Sequence, residues 1–490
     1  MLINVKDLLF ILFCIGSFSA NAQIEDGNYP GSVKKRIEQV ENNISGWVQV
    51  EGVKSVWSLP ERMKYYHVNG LSIAVIHNYK VEWTKGYGWA DSANQIPVTT
   101  QTLFQAASIS KSLNAIGVLK LAQEKKLNLH DDINHYLRNW QLPESSFTTH
   151  KKVTVYNLLN HTAGLNVHGF LGYKKGDSIP SIIQILNGQR PANSEAVRSQ
   201  AEPGVKVVYS GGGVLISQLI VMNITHEPYD KYEWDEVLKP LGMTHSFYTQ
   251  PPPGDKTALL ATGYDTNGKE IDGKFHIYPE LAAAGLWTNP MDLSKYIIET
   301  QFAYEGKSAK VLSQSTVKLM LTPFKGSDAG LGVFVDSIGN KIYFQHGGAN
   351  EGFRCQYFAT LTGGDGVVVM VNSDQDGILR DVINSVAQAY DWKGFYNPQK
   401  KQVLNISDDT LQKYIGNYSL DDSKISVFKK DNNLFLSVNG GSPMQLYFTS
   451  NTHFFVMEIQ ADVKFEKSRI NNNYDIILKQ GADNIRFVKE

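Results

Sequence analysis

The chain has 490 residues, with 47 Lys plus Arg against 48 Asp plus Glu and a formal net charge of −1. That balance leaves no broad basic field for nucleic acid or anionic lipid, so the expected partner is a small-molecule or peptide substrate. Of the two cysteines, Cys14 falls in a leader and Cys355 stands alone, so the core is held by burial without an internal disulfide, over a length that predicts more than one domain.

In chain order, Lys6 precedes an apolar run from Leu8 to Phe18, and Ala20-Asn21-Ala22 offers the small-residue pattern of a cleavage site. Residues 1–22 therefore read as a signal peptide, the mature chain begins at Gln23, and the destination is periplasmic or secreted. No later stretch approaches the roughly 20 apolar residues of a membrane span. Ser32 to Ile44 places Val33, Ile37, Val40 and Ile44 at helical spacing. Leu71–Ile76 and Val81–Tyr87 read as a hairpin turning at His77-Asn78-Tyr79-Lys80. From Ser108 to Gln123 the pattern is helical and apolar on most sides, as in a buried helix.

Val153–Leu159, Ile182–Leu186 and Val214–Met222 continue a mostly helical middle, cut by loops rich in Gly, Pro and Ser. Strand-like runs return at Leu331–Val335, Ile342–Gln345, Arg354–Leu361 and Gly366–Val371, before a helix from Leu379 to Tyr390. Helices inserted between strands from both ends predict an α/β (α+β) sandwich of antiparallel sheet and flanking helices, with an all-helical lobe. The main domain is expected over 23–396 and a polar linker over 397–405. Seven short alternating runs between Ile425 and Val488 then predict a small all-β domain over 406–490, an antiparallel barrel or sandwich.

Acyl transfer by a serine needs a base beside the hydroxyl, and a lysine one helical turn away serves when burial tunes it. Ser108 and Lys111 have that spacing; Ser32, Ser315 and Ser426 also begin a Ser-x-x-Lys, but none opens a buried helix. Several segments around this pair recur in a fixed order: Leu103 to Lys111, Val153 to Leu165, Tyr209-Ser210-Gly211, Ala283 to Thr288, and His346-Gly347-Gly348. In that order they resemble the serine beta-lactamase and penicillin-binding protein superfamily, in the class C-like branch that includes esterases and D-aminopeptidases. The resemblance covers about Ser32 to Tyr390.

The resemblance implies a beta-lactamase/transpeptidase-like fold and an acyl-enzyme on Ser108. Lys111 and the Tyr209 phenol would move its proton, backbone N–H groups of Ser108 and Ala349 would hold the oxyanion, and His346 would complete the catalytic set. Gly211, Gly347 and Gly348 would border the substrate; Arg354, on the strand that follows, is read either as an ordinary strand-surface arginine or as a substrate-binding replacement for the missing positive charge. Two positions depart from the family pattern. Gly211 stands where an asparagine usually grips the substrate amide, and His346 stands where a lysine binds a carboxylate, an imidazole being mostly neutral at neutral pH. Both favour an ester, a D-amino acid peptide or a peptidoglycan-derived substrate. The rival readings are a penicillin- or peptidoglycan-binding protein with little turnover, or a class C-like beta-lactamase. No cofactor and no metal are expected: His161 and His168 lack a His-Glu-x-x-His frame, Gly347-Gly348 is followed by no Gly-Lys-Ser/Thr, and the Gly-x-Ser-x-Gly elbow is absent.

Overall fold

The computed structural model describes residues 29–421, 423–441, 443–457, 462–468, 473–480 and 483–490; the leader expected over 1–22 lies outside them. The main body is built on an antiparallel sheet of β1 (Gly70–His77), β2 (Lys80–Asp91), β3 (Ile96–Pro97), β4 (Phe334–Ile338), β5 (Lys341–Asn350), β6 (Phe353–Thr360) and β7 (Gly366–Val371). Their order is β3-β2-β1-β7-β6-β5-β4, so strands from the two ends of the body meet where β1 pairs with β7. The hairpin β1–β2 turns on Asn78 and Tyr79, both at positive φ, which matches the twist of the flanking strands.

Alternation along the strands divides the sheet between two cores. Val367, Val369 and Val371 face one with α1 (Gly31–Asn42) and α5 (Gly377–Ala389), while Val368 and Met370 face the other. The second core is filled by α2 (Ser110–Gln123), α3 (Gly211–Thr225) and α4 (Pro290–Tyr304). Each such apolar side chain contributes roughly 1.5–3 kcal/mol on burial. Helices α2 and α3 are buried on nearly every side, as the apolar circumference of the first predicted. They are bridged by Asn114 Nδ2 donating to Ser217 Oγ at 3.0 Å.

Three boundaries differ from expectation. The strand read at Leu331–Val335 forms at Phe334–Ile338, because the loop before it is stitched by Leu331 N to Met320 O and Gly332 N to Leu159 O, both 2.8 Å. Ser108 lies in a short 3-10 turn, Ala107–Ile109, that leads into α2. The polar stretch read as a linker is partly a strand, Gln399–Lys401, paired in parallel with Val48–Val50.

Beyond it, nine described strands form a second antiparallel sheet: β8 (Gly416–Leu420), β9 (Ser423–Lys430), β10 (Asn433–Val438), β11 (Met444–Gln445), β12 (Tyr447–Phe448), β13 (His453–Phe455), β14 (Asp462–Lys467), β15 (Tyr474–Gln480) and β16 (Asp483–Lys489). The order is β11-β10-β9-β8-β16-β15-β14-β13-β12. Strands β11 and β12 end opposite edges yet are separated by Leu446 alone, so the sheet curls into a nearly closed barrel. Its interior is an aromatic stack, with Tyr414 and Phe465 rings 3.9 Å apart and Phe454 at 4.7 Å from Phe465. A small cluster of Val48, Val50, Tyr447, Phe455 and Met457 joins barrel to body.

Candidate active site

Ser108 is positioned by a turn in which Ala107 adopts a φ of 47°, a left-handed conformation uncommon for alanine and held here by its surroundings. Ala106 N donates to Leu286 O at 2.8 Å, and Cys355 Sγ donates to Ala106 O at 3.2 Å. The Ser108 side chain caps no helix. Its hydroxyl instead accepts from Lys111 Nζ at 2.9 Å, and the same nitrogen donates to Ala283 O at 2.7 Å. Lys111 is 2 % exposed, so its amine is presented to the serine from inside the protein. Ser110 Oγ, facing the other way, accepts from Leu286 N at 3.0 Å, which fixes the Ala283–Thr288 segment against the start of α2.

Tyr209 enters from the N-terminal side of α3. Ser210 caps that helix, its Oγ accepting from Gly213 N at 2.9 Å and donating to Asn166 O at 2.7 Å. His161 and His168 both contact Tyr209: the His161 ring lies 4.3 Å from its ring, and His168 Nδ1 donates to its carbonyl at 2.5 Å. Lys111 Nζ sits 5.1 Å from the Tyr209 ring centroid. Among the described residues the phenol oxygen has no hydrogen-bond partner, and it borders the same cavity as Ser108.

The facing wall is β5. Its register with β4 ends at Phe334 opposite Gln345, so His346 to Asn350 carry no strand on their outer edge. That edge approaches the serine turn so closely that a Cβ on Gly348 would lie 2.2 Å from Ala106 O and 2.5 Å from Cys355 Sγ. Only glycine permits the approach. Between turn and strand lies a cavity of about 450 Å³, lined by Ser108, Tyr209, His346, Gly347, Gly348 and Ala349 from the expected set. Arg354 and Cys355 line it too, as do Phe334, Gln345, Gln356, Asp376 and Leu379. The last five come from separate strands and from the α5 end, and sequence reasoning missed them because no local spacing links them.

His346 Nδ1 donates to Gly347 O at 2.6 Å, leaving Nε2 buried without a partner. Burial, with the nearby Lys111 charge, lowers the pKa of His346 to about 3, and the same causes hold His161 well below the usual imidazole range. Both imidazoles are therefore neutral at physiological pH.

Two expected substrate residues are placed otherwise. Gly211 is buried at the start of α3 and outside the cavity wall, and a Cβ there would meet Phe170 Cε2 at 3.0 Å and His168 O at 3.2 Å. An asparagine would not fit without moving that loop. Arg354 does line the cavity, but its Nη1 pairs with Asp374 at 2.8 Å and donates to Asn350 O and Phe353 O at 2.6 and 2.8 Å. Its charge is already engaged. No described barrel residue lines the cavity.

Comparison with known proteins gives the family to which this fold belongs. A Beta-lactamase family model matches residues 59–389. The protein flp of Staphylococcus aureus (strain N315) is 26% identical over 321 residues, 63% of this chain and 61% of that protein, so the chain matches about three fifths of its length. PbpX of Bacillus subtilis (strain 168) is 25% identical over 390 residues, 78% of this chain and 92% of PbpX. The octameric penicillin-binding protein homologue from Pyrococcus abyssi shares the fold at a TM-score of 0.62 with 21% identity, over 88% of this chain and 98% of that one. With a family model that spans most of the body, the chain belongs to the Beta-lactamase family.

Proposed function

We propose that the protein is an exported serine hydrolase that opens an ester or amide through an acyl-enzyme on Ser108. The observation that carries this reading is the 2.9 Å contact between Ser108 Oγ and the buried amine of Lys111. In the reaction Oγ attacks the substrate carbonyl, Lys111 and the Tyr209 phenol take its proton, and that proton passes to the leaving group as the tetrahedral intermediate collapses. Water repeats the sequence on the acyl-enzyme and restores the serine. The free phenol of Tyr209 faces the space a leaving group would fill, and catalytic contacts often tighten only once substrate binds. The oxyanion is assigned to the N–H groups of Ser108 and Ala349.

His346 is neutral and Arg354 is engaged, so neither offers a free cation for the carboxylate of a beta-lactam. The substrate class supported is therefore a small ester, a D-amino acid peptide or a peptidoglycan-derived amide, with export inferred from the leader pattern over 1–22. Replacing Ser108 by alanine is expected to lower kcat/KM on a p-nitrophenyl ester by at least about a thousandfold with the melting temperature preserved. A fluorophosphonate probe should label the peptide containing Ser108. Wild-type turnover by the variant overturns the assignment. Stoichiometric, lasting labelling by a fluorescent penicillin, with no turnover of p-nitrophenyl esters, D-amino acid amides or nitrocefin, would replace hydrolysis by binding.

A further inference from the structure

Three polar side chains cross the sheet on a diagonal, one from each of β4, β5 and β6. Gln345 on β5 faces Phe334 on β4, with Asp336 next along the same face, and Gly347 on β5 faces Gln356 on β6. Diagonal neighbours of this kind are within reach of long side chains. Here they touch: Gln356 Nε2 donates to Gln345 Oε1 at 2.8 Å, and Gln345 Nε2 donates to Asp336 Oδ2 at 3.1 Å.

The direction of this chain follows from its acid end. A carboxylate only accepts, so Gln345 presents its amide nitrogen to Asp336 and its oxygen to Gln356. That oxygen needs a donor, so Gln356 turns its nitrogen inward and its own oxygen, Oε1, is left over. No described residue donates to it. A Cβ on Gly347 would lie 2.8 Å from this oxygen, so the glycine keeps the space before the acceptor open. Gln345, Gly347 and Gln356 all line the Ser108 cavity, whereas Asp336 does not. Gly347 follows His346, whose ring lies 6.4 Å from that of Tyr209. The acceptor therefore stands at the Tyr209 end of the cavity, the end to which the acyl-transfer reading assigns the leaving group.

We propose that Gln356 Oε1 accepts a hydrogen bond from the leaving group, and that Asp336 is a positioning residue that sets the polarity of this contact from outside the cavity. The protein then prefers esters or amides whose leaving group carries an N–H beyond the bond that is cut over the same groups with that hydrogen replaced by methyl. The preference in turnover rests on the hydrolase reading, but the binding does not.

The test compares acetate esters of N-acetylethanolamine, N-acetylpropanolamine and N-acetylbutanolamine with those of their N-methyl counterparts, by acetate release. The wild-type protein should favour at least one N–H ester in kcat/KM by roughly fivefold or more, the factor one hydrogen bond supplies. Q356M, similar in volume but with no acceptor of this kind, should bring that ratio close to one, whereas a merely steric penalty of the methyl would survive in it. Q356E, which keeps an acceptor before Gly347, should retain the preference. D336N lets the amide chain run either way, because asparagine donates as well as accepts, and should lower the ratio although position 336 is outside the cavity wall; should Q356M fail to fold, that fall decides. No N–H preference in the wild type, or an unchanged ratio in either Q356M or D336N, overturns the proposal. Calorimetry on the Ser108→Ala protein with the same esters separates this from the hydrolase reading. Tighter binding of an N–H ester than of its N-methyl counterpart, abolished by Q356M, upholds the subsite even where no ester is turned over. Equal binding of the two sinks it.

Discussion

The body and the barrel solve the same packing problem in opposite ways. The barrel fills its interior with stacked aromatics such as Tyr414, Phe465 and Phe454, and its buried acid Asp475 is paired with Arg486 at 2.8 Å. The body, by contrast, keeps costly groups inside: an amine on Lys111, an Nε2 on His346 without a partner among the described residues, an alanine at positive φ before Ser108, and buried carboxyls on Glu233 and Glu280. Unsatisfied groups persist only where the surrounding structure over-determines them, and they cluster where chemistry is done. The barrel meets the body through the cluster of Val48, Val50, Phe455 and Met457.

Glu280 gives the largest expected effect. It is fully buried at the start of the Leu281–Ala284 turn whose Ala283 carbonyl receives Lys111, and burial pushes its pKa up to about 8. In the unfolded chain the group titrates near its ordinary value of 4.5. Stability from this group is thus fully present below about pH 4.5 and is lost as pH rises toward 8, because only the unfolded chain releases the proton early. The loss across that window is on the order of 4 kcal/mol. Glu280→Gln should flatten the fall in melting temperature between pH 5 and pH 8, and an unchanged slope would show that another group carries it.

Phe455→Ala probes the other side of the comparison. Removing a buried ring at the joint should cost about 3 kcal/mol by denaturant unfolding, while kcat/KM on a p-nitrophenyl ester stays within about twofold. A large kinetic loss with little destabilisation would mean that the barrel shapes the active site after all.

Much of this division is visible in the sequence. Helix α1, the hairpin β1–β2 and strand β7 follow from spacing alone, since each is carried by one side-chain period within one segment, whereas the Ser108–Lys111 pair shares its spacing with Ser32, Ser315 and Ser426 and is set apart by the buried helix that follows it. Helix α4 was not read, because Asp292, Ser294, Glu299, Thr300 and Gln301 are buried in it and break the apolar stripe. Those polar groups serve loops distant in sequence. Asp292 Oδ2 accepts from His245 N, Ser246 N and Ser246 Oγ at 2.9, 3.1 and 2.9 Å. The cavity wall escaped for a related reason: Phe334, Gln345, Gln356 and Leu379 meet only through sheet register and the docking of α5. Arg354 was singled out by sequence position, and only its contact with Asp374 shows that its charge is taken.

Gly348→Ala sharpens the comparison within the body. Its Cβ would meet backbone oxygen at 2.2 Å, and that atom belongs to the turn carrying the nucleophile, so the clash cannot be relieved by a side-chain rotation. A displacement of about 1 Å at the reacting atoms costs on the order of a hundredfold in rate. The expected result is that loss in kcat, with fluorophosphonate labelling of Ser108 slowed in parallel. Gly347→Ala should be milder, because its Cβ would meet the movable Gln356 amide at 2.8 Å.

The smallest expected effect is the most discriminating for His346. With its pKa at about 3, the imidazole is neutral throughout the range in which the protein is assayed. The acidic limb of kcat/KM between pH 5 and pH 7.5 should therefore keep its shape in His346→Asn, even if the absolute rate falls because a buried acceptor beside Tyr209 has changed. A limb centred near the ordinary histidine value of about 6.5 that disappears in the variant would mean that the imidazole does charge in the working site. The third-motif position would then supply a cation after all, and a substrate carboxylate could be held there.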